Sequence, residues 1–213
     1  MRRRKTRRLA ELAGMPNVIE ADAPDSRGAV VRYFDRALPL VLELGCGRGE
    51  TTVTRAETDP QRNFVGVDVR GARLHRGAAL AGARGVRNVA FLRSTVQRLP
   101  DLLGDIRAEE AWLLFPDPYP KRRYTRRRLT SPSFLGIYRD ILQPGASIHL
   151  KTDDAGLFRY TLQTLTEAEA RIHQRCDDLP AGSLPDSLMI QSAYESKFRS
   201  EGRRIHYICF SLS

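Results

Sequence analysis

Three carboxylates and one dense run of arginines carry the chemistry legible in this sequence. Glu43 stands near the end of an apolar run, Leu38 to Leu44, two residues before three alternating glycines, Gly45, Gly47 and Gly49. Glycines in that spacing let a backbone take positive φ and approach a small molecule closely, and the helix that follows presents free N–H groups. A carboxylate at Glu43 repels a diphosphate but holds a cationic sulfonium or amino group. Asp68 ends a second apolar run, Phe64-Val65-Gly66-Val67-Asp68, 25 residues after Glu43. There a carboxylate is suited to grip a ribose diol through two hydrogen bonds. The third carboxylate, Asp117, lies in Phe115-Pro116-Asp117-Pro118-Tyr119-Pro120, where three prolines stiffen the chain. Directly after it come Lys121, Arg122, Arg123, Tyr124, Thr125, Arg126, Arg127 and Arg128. A rigid acid beside a cationic segment containing a tyrosine suits phosphates and base stacking.

The elements that position these groups follow from periodicity and punctuation. Continuous apolar runs predict buried parallel strands at 38–44, 63–69, 89–92 and 111–115, with an alternating strand at 147–151 and a last one at 205–210. Helices are expected at 50–56, 71–84, 132–142 and 155–169, with a short helix or turn at 99–106. Ser131 is placed to cap the third of these, with Pro132 at its first position and Gln143-Pro144-Gly145 ending it. In an open α/β sheet, ligands bind beyond the carboxyl ends of the strands. Glu43, Asp68, Asp117 and the cluster Thr152-Asp153-Asp154 all stand at such ends. Ser94, Thr95 and Gln97, just after the third strand, are candidates for an adenine edge. Ser192 to Phe198 is polar and aromatic and has no obvious core role, and Pro180 to Pro185 reads as a loop.

Several functions are excluded. No Gly-Lys-Ser/Thr follows the glycines, so the turn is not a P-loop. The spacing G-x-G-x-G and the acid at Glu43 disfavour a dinucleotide site, which takes G-x-G-x-x-G. A chain of 213 residues with 41% hydrophobic content suits one α/β domain. A formal net charge of +10 points to a polyanionic partner. A genomic bias explains arginine over lysine but not the net excess. The block Arg2, Arg3, Arg4, Lys5, Arg7, Arg8 reads as an RNA-contacting arm or a solvated tail, and residues 9–36 as a lead-in of one short helix and a crossing loop. Cys46, Cys176 and Cys209 form no C-x-x-C pair, which suggests neither a disulfide framework nor a metal site. The absence of an apolar leader or membrane-length run predicts a cytoplasmic protein.

Glu43-x-Gly45-x-Gly47-x-Gly49 with Asp68 resembles the first motifs of class I S-adenosylmethionine (SAM) methyltransferases. Four stretches narrow the likeness: Val41 to Glu50, Phe115 to Arg128, Ser147 to Asp153, and Tyr194 to Phe198 with Gly202. Together they resemble bacterial tRNA (guanine-N7)-methyltransferases in order, over roughly residues 40–210, and the F-P-D-P-aromatic-P-K element is highly specific. The resemblance implies a Rossmann-like fold with a seven-stranded, mostly parallel sheet and helices on both faces. It divides the chain into a basic arm and lead-in, 1–36, and a methyltransferase domain, 37–213. It implies SAM as cofactor, tRNA as partner, no metal, and methylation of guanine N7, at guanine 46 of the variable loop. Glu43, Gly45, Gly47, Gly49, Asp68, Thr95 and Asp117 then correspond to cofactor contacts, with Asp117 also at the reaction centre. Lys121, Arg122, Arg123, Arg126, Arg127, Arg128, Asp153, Ser192, Tyr194 and Glu195 correspond to substrate-binding positions. Two departures stand out: Thr95 replaces an acid common after the third strand, and the family's Thr-x-Tyr-Glu appears as Ser192-Ala193-Tyr194-Glu195.

The chemistry agrees with that assignment. Guanine N7 has an available lone pair and no proton, so methylation needs positioning and electrostatics rather than a general base. Two rivals remain. An exocyclic-amine methyltransferase carries Asn/Asp-Pro-Pro-aromatic, whereas here Tyr119 follows Pro118 directly. A non-catalytic RNA-binding module on the same fold has no reason to keep three carboxylates. Whether the protein is a monomer or a homodimer is not written in the sequence.

Overall fold

The computed structural model describes residues 2–180 and 190–213, so most of the loop expected at Pro180 to Pro185 lies outside the described residues. Internal contacts divide the chain into two units, Met1–Ala108 and Glu109–Ser213.

The first unit is built on four parallel strands, β1 (Val18–Glu20), β2 (Leu40–Leu44), β3 (Asn63–Asp68) and β4 (Val89–Arg93), in the order β1-β4-β3-β2. Every residue of β2 is buried, and β3 and β4 each leave only their last residue partly exposed, as continuous apolar runs require. Five helices accompany them: α1 (Arg2–Leu12), α2 (Ala29–Tyr33), α3 (Glu50–Thr58), α4 (Gly71–Arg84) and α5 (Leu99–Leu103). Helix α4 buries Leu74, Ala78 and Ala81 and stops at Gly85, whose φ of 66° gives a left-handed cap. The basic N-terminal block lies in α1, which packs on α4. Leu12 is fully buried there, and Glu11 Oε2 accepts from His75 Nε2 at 2.9 Å.

The second unit holds β5 (Ala108–Leu114), β6 (Leu142–Thr152), β7 (Arg171–Cys176) and β8 (His206–Ser211), in the order β5-β6-β8-β7. Strand β8 runs antiparallel to both neighbours. Its helices are α6 (Pro132–Ile141), α7 (Ala155–Glu167) and α8 (Ala193–Ser200). Trp112, Tyr138, Ile148, Tyr207 and Phe210 form the buried centre, and Trp112 stacks on His149 with centroids 4.0 Å apart.

The described residues contain eight strands where seven were expected. Neither β1, three residues long, nor β7 carries a readable apolar signal; β7 is an exposed, arginine-bearing edge strand with a bulge between Ile172 and Gln174. Helix α6 ends at Ile141, just ahead of Gln143-Pro144-Gly145, and those three residues run within β6, which begins at Leu142. Ser131 does sit at the N-cap of α6, but its hydroxyl donates to the Arg126 carbonyl at 3.2 Å and caps nothing.

Candidate active site

In the first unit the glycine turn forms as its composition demands. Gly45, Gly47 and Gly49 have φ of 79°, 58° and 68°. The turn is tied down from β3: Gly45 and Cys46 donate to the Val67 carbonyl, and Gly47 N–H donates to Asp68 Oδ2 at 3.0 Å. Asp68 Oδ1 accepts from Arg70 N–H at 2.7 Å. Gly47 and Gly49 serve different purposes. A Cβ at Gly47 would meet nothing within 4 Å, so the chain there faces open space. A Cβ at Gly49 would overlap the Phe91 ring, lying 2.8 Å from Cζ and closer still to Cε1. Gly66 and Gly77 make room for the same ring, at 3.0 Å and 2.6 Å. Phe91 is fully buried and braces the turn from beneath. Sequence reasoning assigned it only to a strand; the signal was three glycines in three segments with one large aromatic to accommodate.

Glu43 is 4% exposed and accepts from Thr52 Oγ1 at 2.8 Å. Burial pushes its carboxyl up to about 7, against the opposing pull of the Arg55 charge and the Thr52 hydrogen bond. The carboxylate is thus buried at the end of β2 and tied to α3 through Thr52. Thr95 is exposed at the start of the short 3-10 turn Val96–Arg98. Open space at Gly47, flanked by an Asp68 carboxylate that retains lone pairs, fits an adenosyl group better than a diphosphate.

In the second unit, β5 runs into a strained loop. Phe115 and Tyr119 have φ of 49° and 41°, a region bulky residues rarely enter. They bracket Pro116-Asp117-Pro118 and leave Asp117 exposed. Phe115 N–H donates to the Lys151 carbonyl at 2.8 Å on β6. The far side is held by Arg128, which the sequence grouped with the RNA-contacting arginines. Arg128 is 8% exposed, donates to the Pro118 and Tyr119 carbonyls at 2.9 Å and 3.1 Å, and packs over Tyr160 at 4.3 Å. These bonds hold the loop. Lys121, Arg122, Arg123, Arg126 and Arg127 are exposed. Tyr124 does not stand free for stacking: the Arg123 and Arg127 guanidinium groups each lie 4.8 Å from its ring centre.

The C-terminal positions divide in the same way. Ser192 caps α8 by accepting from Glu195 N–H at 3.0 Å. Glu195, 2% exposed, is held by Lys151 Nζ at 3.0 Å and by Arg199 at 2.8 Å. Tyr194 is 54% exposed, its ring 6.2 Å from that of Phe198. Asp153 pairs with Arg203, a residue the sequence did not single out, whose guanidinium lies 4.5 Å over Phe198. Among the described residues no cluster of three or more His, Cys, Asp or Glu is placed to hold a metal.

Comparison with known proteins places this geometry. Residues 37–208 match the model of a family described as putative methyltransferase. A protein named tRNA (guanine-N(7)-)-methyltransferase from Porphyromonas gingivalis is 38% identical over 182 residues, 84% of this chain and 74% of its own length. One of the same name from Christiangramia forsetii is 35% identical, covering 98% of this chain and 97% of its own. The chain belongs to the tRNA (guanine-N7)-methyltransferase family. Solved structures agree on the fold. The 16S rRNA methyltransferase KamB superposes with a TM-score of 0.62 at 17% identity, over 87% of this chain and 91% of its own. A 16S rRNA (adenine(1408)-N(1))-methyltransferase from Catenulisporales acidiphilia gives 0.62 at 18%, over 89% and 93%. The family's fold is thus the Rossmann-like one of the class I SAM methyltransferases. Within this family member, Phe91 and Arg203 are residues near the candidate site that the sequence did not single out.

Proposed function

We propose that this protein transfers a methyl group from S-adenosylmethionine to N7 of a guanine in tRNA, at guanine 46 of the variable loop. The observation that carries the reading is the loop after β5, where an exposed Asp117 is fixed between two strained residues and followed by five exposed cations. The names of the relatives that share the chain over most of its length support it. The cofactor supplies an electrophilic methyl on a sulfonium; the chain's own residues bind and orient. The glycine turn and Asp68 hold the adenosyl moiety, with Gly47 giving the closest backbone approach and Thr95 beside the base. Glu43, buried beside the turn and bonded to Thr52, is a further contact to the cofactor.

Asp117 orients by accepting hydrogen bonds from guanine amino and imino groups or from the methionine ammonium. No base is needed, because N7 carries no proton. Lys121, Arg122, Arg123, Arg126 and Arg127 bind tRNA phosphates, and Asp153 and Tyr194 the target nucleotide. Extruding a structured base costs a few kcal/mol, which phosphate contacts offset. The site of action is the cytoplasm, where tRNA is found; among the described residues no helix is long and apolar enough to cross a membrane. The test is incubation with SAM and unmodified tRNA, followed by nucleoside mass spectrometry. N7-methylguanosine is expected, and a different methylated nucleoside would overturn the reading.

A further inference from the structure

The contact between Asp153 and Arg203 has a chemical meaning beyond an ion pair. Asp153 follows β6 directly, and its side chain is 12% exposed while that of Arg203 is 44% exposed. The Arg203 guanidinium lies over the Phe198 ring at 4.5 Å, and that ring is flanked by Phe115 at 5.5 Å and Tyr194 at 6.2 Å. A planar guanidinium is thus paired through Nη2 with a carboxylate and seated on an aromatic face. The N1–H and 2-amino edge of guanine is itself a cyclic guanidine: two parallel N–H donors in a flat ring that stacks on aromatic surfaces. No other standard base presents that fork.

We infer that Arg203 is an internal stand-in for the target guanine, occupying its edge site in the free protein and leaving it when the base arrives. The inference rests on the reading of Asp153 as a guanine contact. The seat selects guanine because only guanine reproduces the donors that Arg203 vacates, and it keeps a partly buried carboxylate paired when no substrate is bound. Holding the N1 and 2-amino edge leaves N7, on the opposite side of the purine, free to react. Asp117 is then left to the methionine ammonium. The backbone is built for the swing. Gly202, with φ of 70°, ends α8 immediately before Arg203, and Arg203 N–H donates to the Phe198 carbonyl at 2.9 Å, so the side chain can leave while its backbone stays anchored. The pair is open to solvent on the Arg203 side, which is 44% exposed, so the guanidinium can be displaced.

The test compares wild type with Arg203→Met, measuring the KM for a tRNA transcript and calorimetric binding of guanosine 5′-monophosphate. Removing the competitor is expected to tighten monophosphate binding and lower KM by about fivefold, the reach of one exposed ion pair, with inosine 5′-monophosphate gaining less. Unchanged or weaker binding in a folded variant would overturn the inference. So would a loss of tRNA affinity with a shallower salt dependence, which would make Arg203 a phosphate ligand. Should Arg203→Met not fold, the wild type decides. The Arg203 side-chain NMR resonance is expected to shift and sharpen on adding guanosine 5′-monophosphate; a resonance unmoved at saturation would refute displacement. Wild type that forms N7-methylguanosine while failing these tests would leave the proposed function standing and remove only this inference.

Discussion

Replacing Gly47 and Gly49 singly by alanine separates the part of the glycine turn that meets ligand from the part that meets the core. Both have positive φ, so each alanine adds left-handed strain of about 1 kcal/mol. Their surroundings differ. At Gly47 the new methyl enters open space, and the N–H to Asp68 is kept, so the total cost to the fold stays near that figure. At Gly49 the methyl collides with a ring that is fully buried and has Gly66 and Gly77 at its other sides, so the ring has nowhere to retreat. Overpacking adds about 1 to 3 kcal/mol, for a total of about 2 to 4 kcal/mol. Urea denaturation should therefore show Gly49→Ala losing at least 1 kcal/mol more than Gly47→Ala, with similar m-values. Calorimetry should show the reverse order for SAM: Gly47→Ala loses affinity while folded. Adding Phe91→Leu to Gly49→Ala should recover part of its loss, a coupling that Gly47→Ala would not share. Equal destabilisation of the two variants, or wild-type SAM affinity in Gly47→Ala, would refute this division of the turn.

The raised carboxyl of Glu43 makes stability depend on pH. A folded value of about 7 against an ordinary 4.5 means the stabilising contribution is complete below pH 4.5 and is lost as pH rises through 7. Between pH 5 and 8 wild type should lose about 2 to 3 kcal/mol relative to Glu43→Gln; parallel pH profiles in chemical denaturation would contradict this. Asp117→Asn should lose on the order of 2 to 4 kcal/mol of transition-state stabilisation. Its residual product should still be N7-methylguanosine, and a wild-type single-turnover rate would remove Asp117 from the reaction centre. Reversing charge at Arg126 and Arg127 should raise the KM for tRNA and flatten its salt dependence while SAM affinity holds; Arg128→Gln should instead lower thermal stability, since it releases two carbonyls. An unaltered salt slope in the charge-reversal variant would detach the loop from phosphate binding.

The strands and helices around the glycine turn were legible because continuous apolar runs, glycine spacing and prolines each have one dominant structural outcome. Helix α4 appears over Gly71–Arg84 as its length and alanine content predicted. What the sequence could not convey was direction. Arg128 and Arg127 are adjacent and chemically identical, yet one is buried under carbonyls and the other is exposed. Glu43 and Glu195 look like ligand carboxylates in a motif, but each finds its partner on a neighbouring element: Thr52 in one case, Lys151 and Arg199 in the other. Such partnerships are tertiary, and no spacing rule encodes them. Strand β7 was missed because an edge strand with a bulge needs no apolar alternation.

The most direct test of methyl transfer to guanine N7 uses a tRNA transcript in which the variable-loop guanine is replaced by 7-deazaguanine. This changes one ring atom, removes the nucleophile and preserves the N1 and 2-amino edge. The account predicts that the substituted tRNA binds as the parent does and accepts no methyl group from SAM, while the parent gains one at that guanine. Methyl transfer to the substituted transcript at an undiminished rate would contradict it.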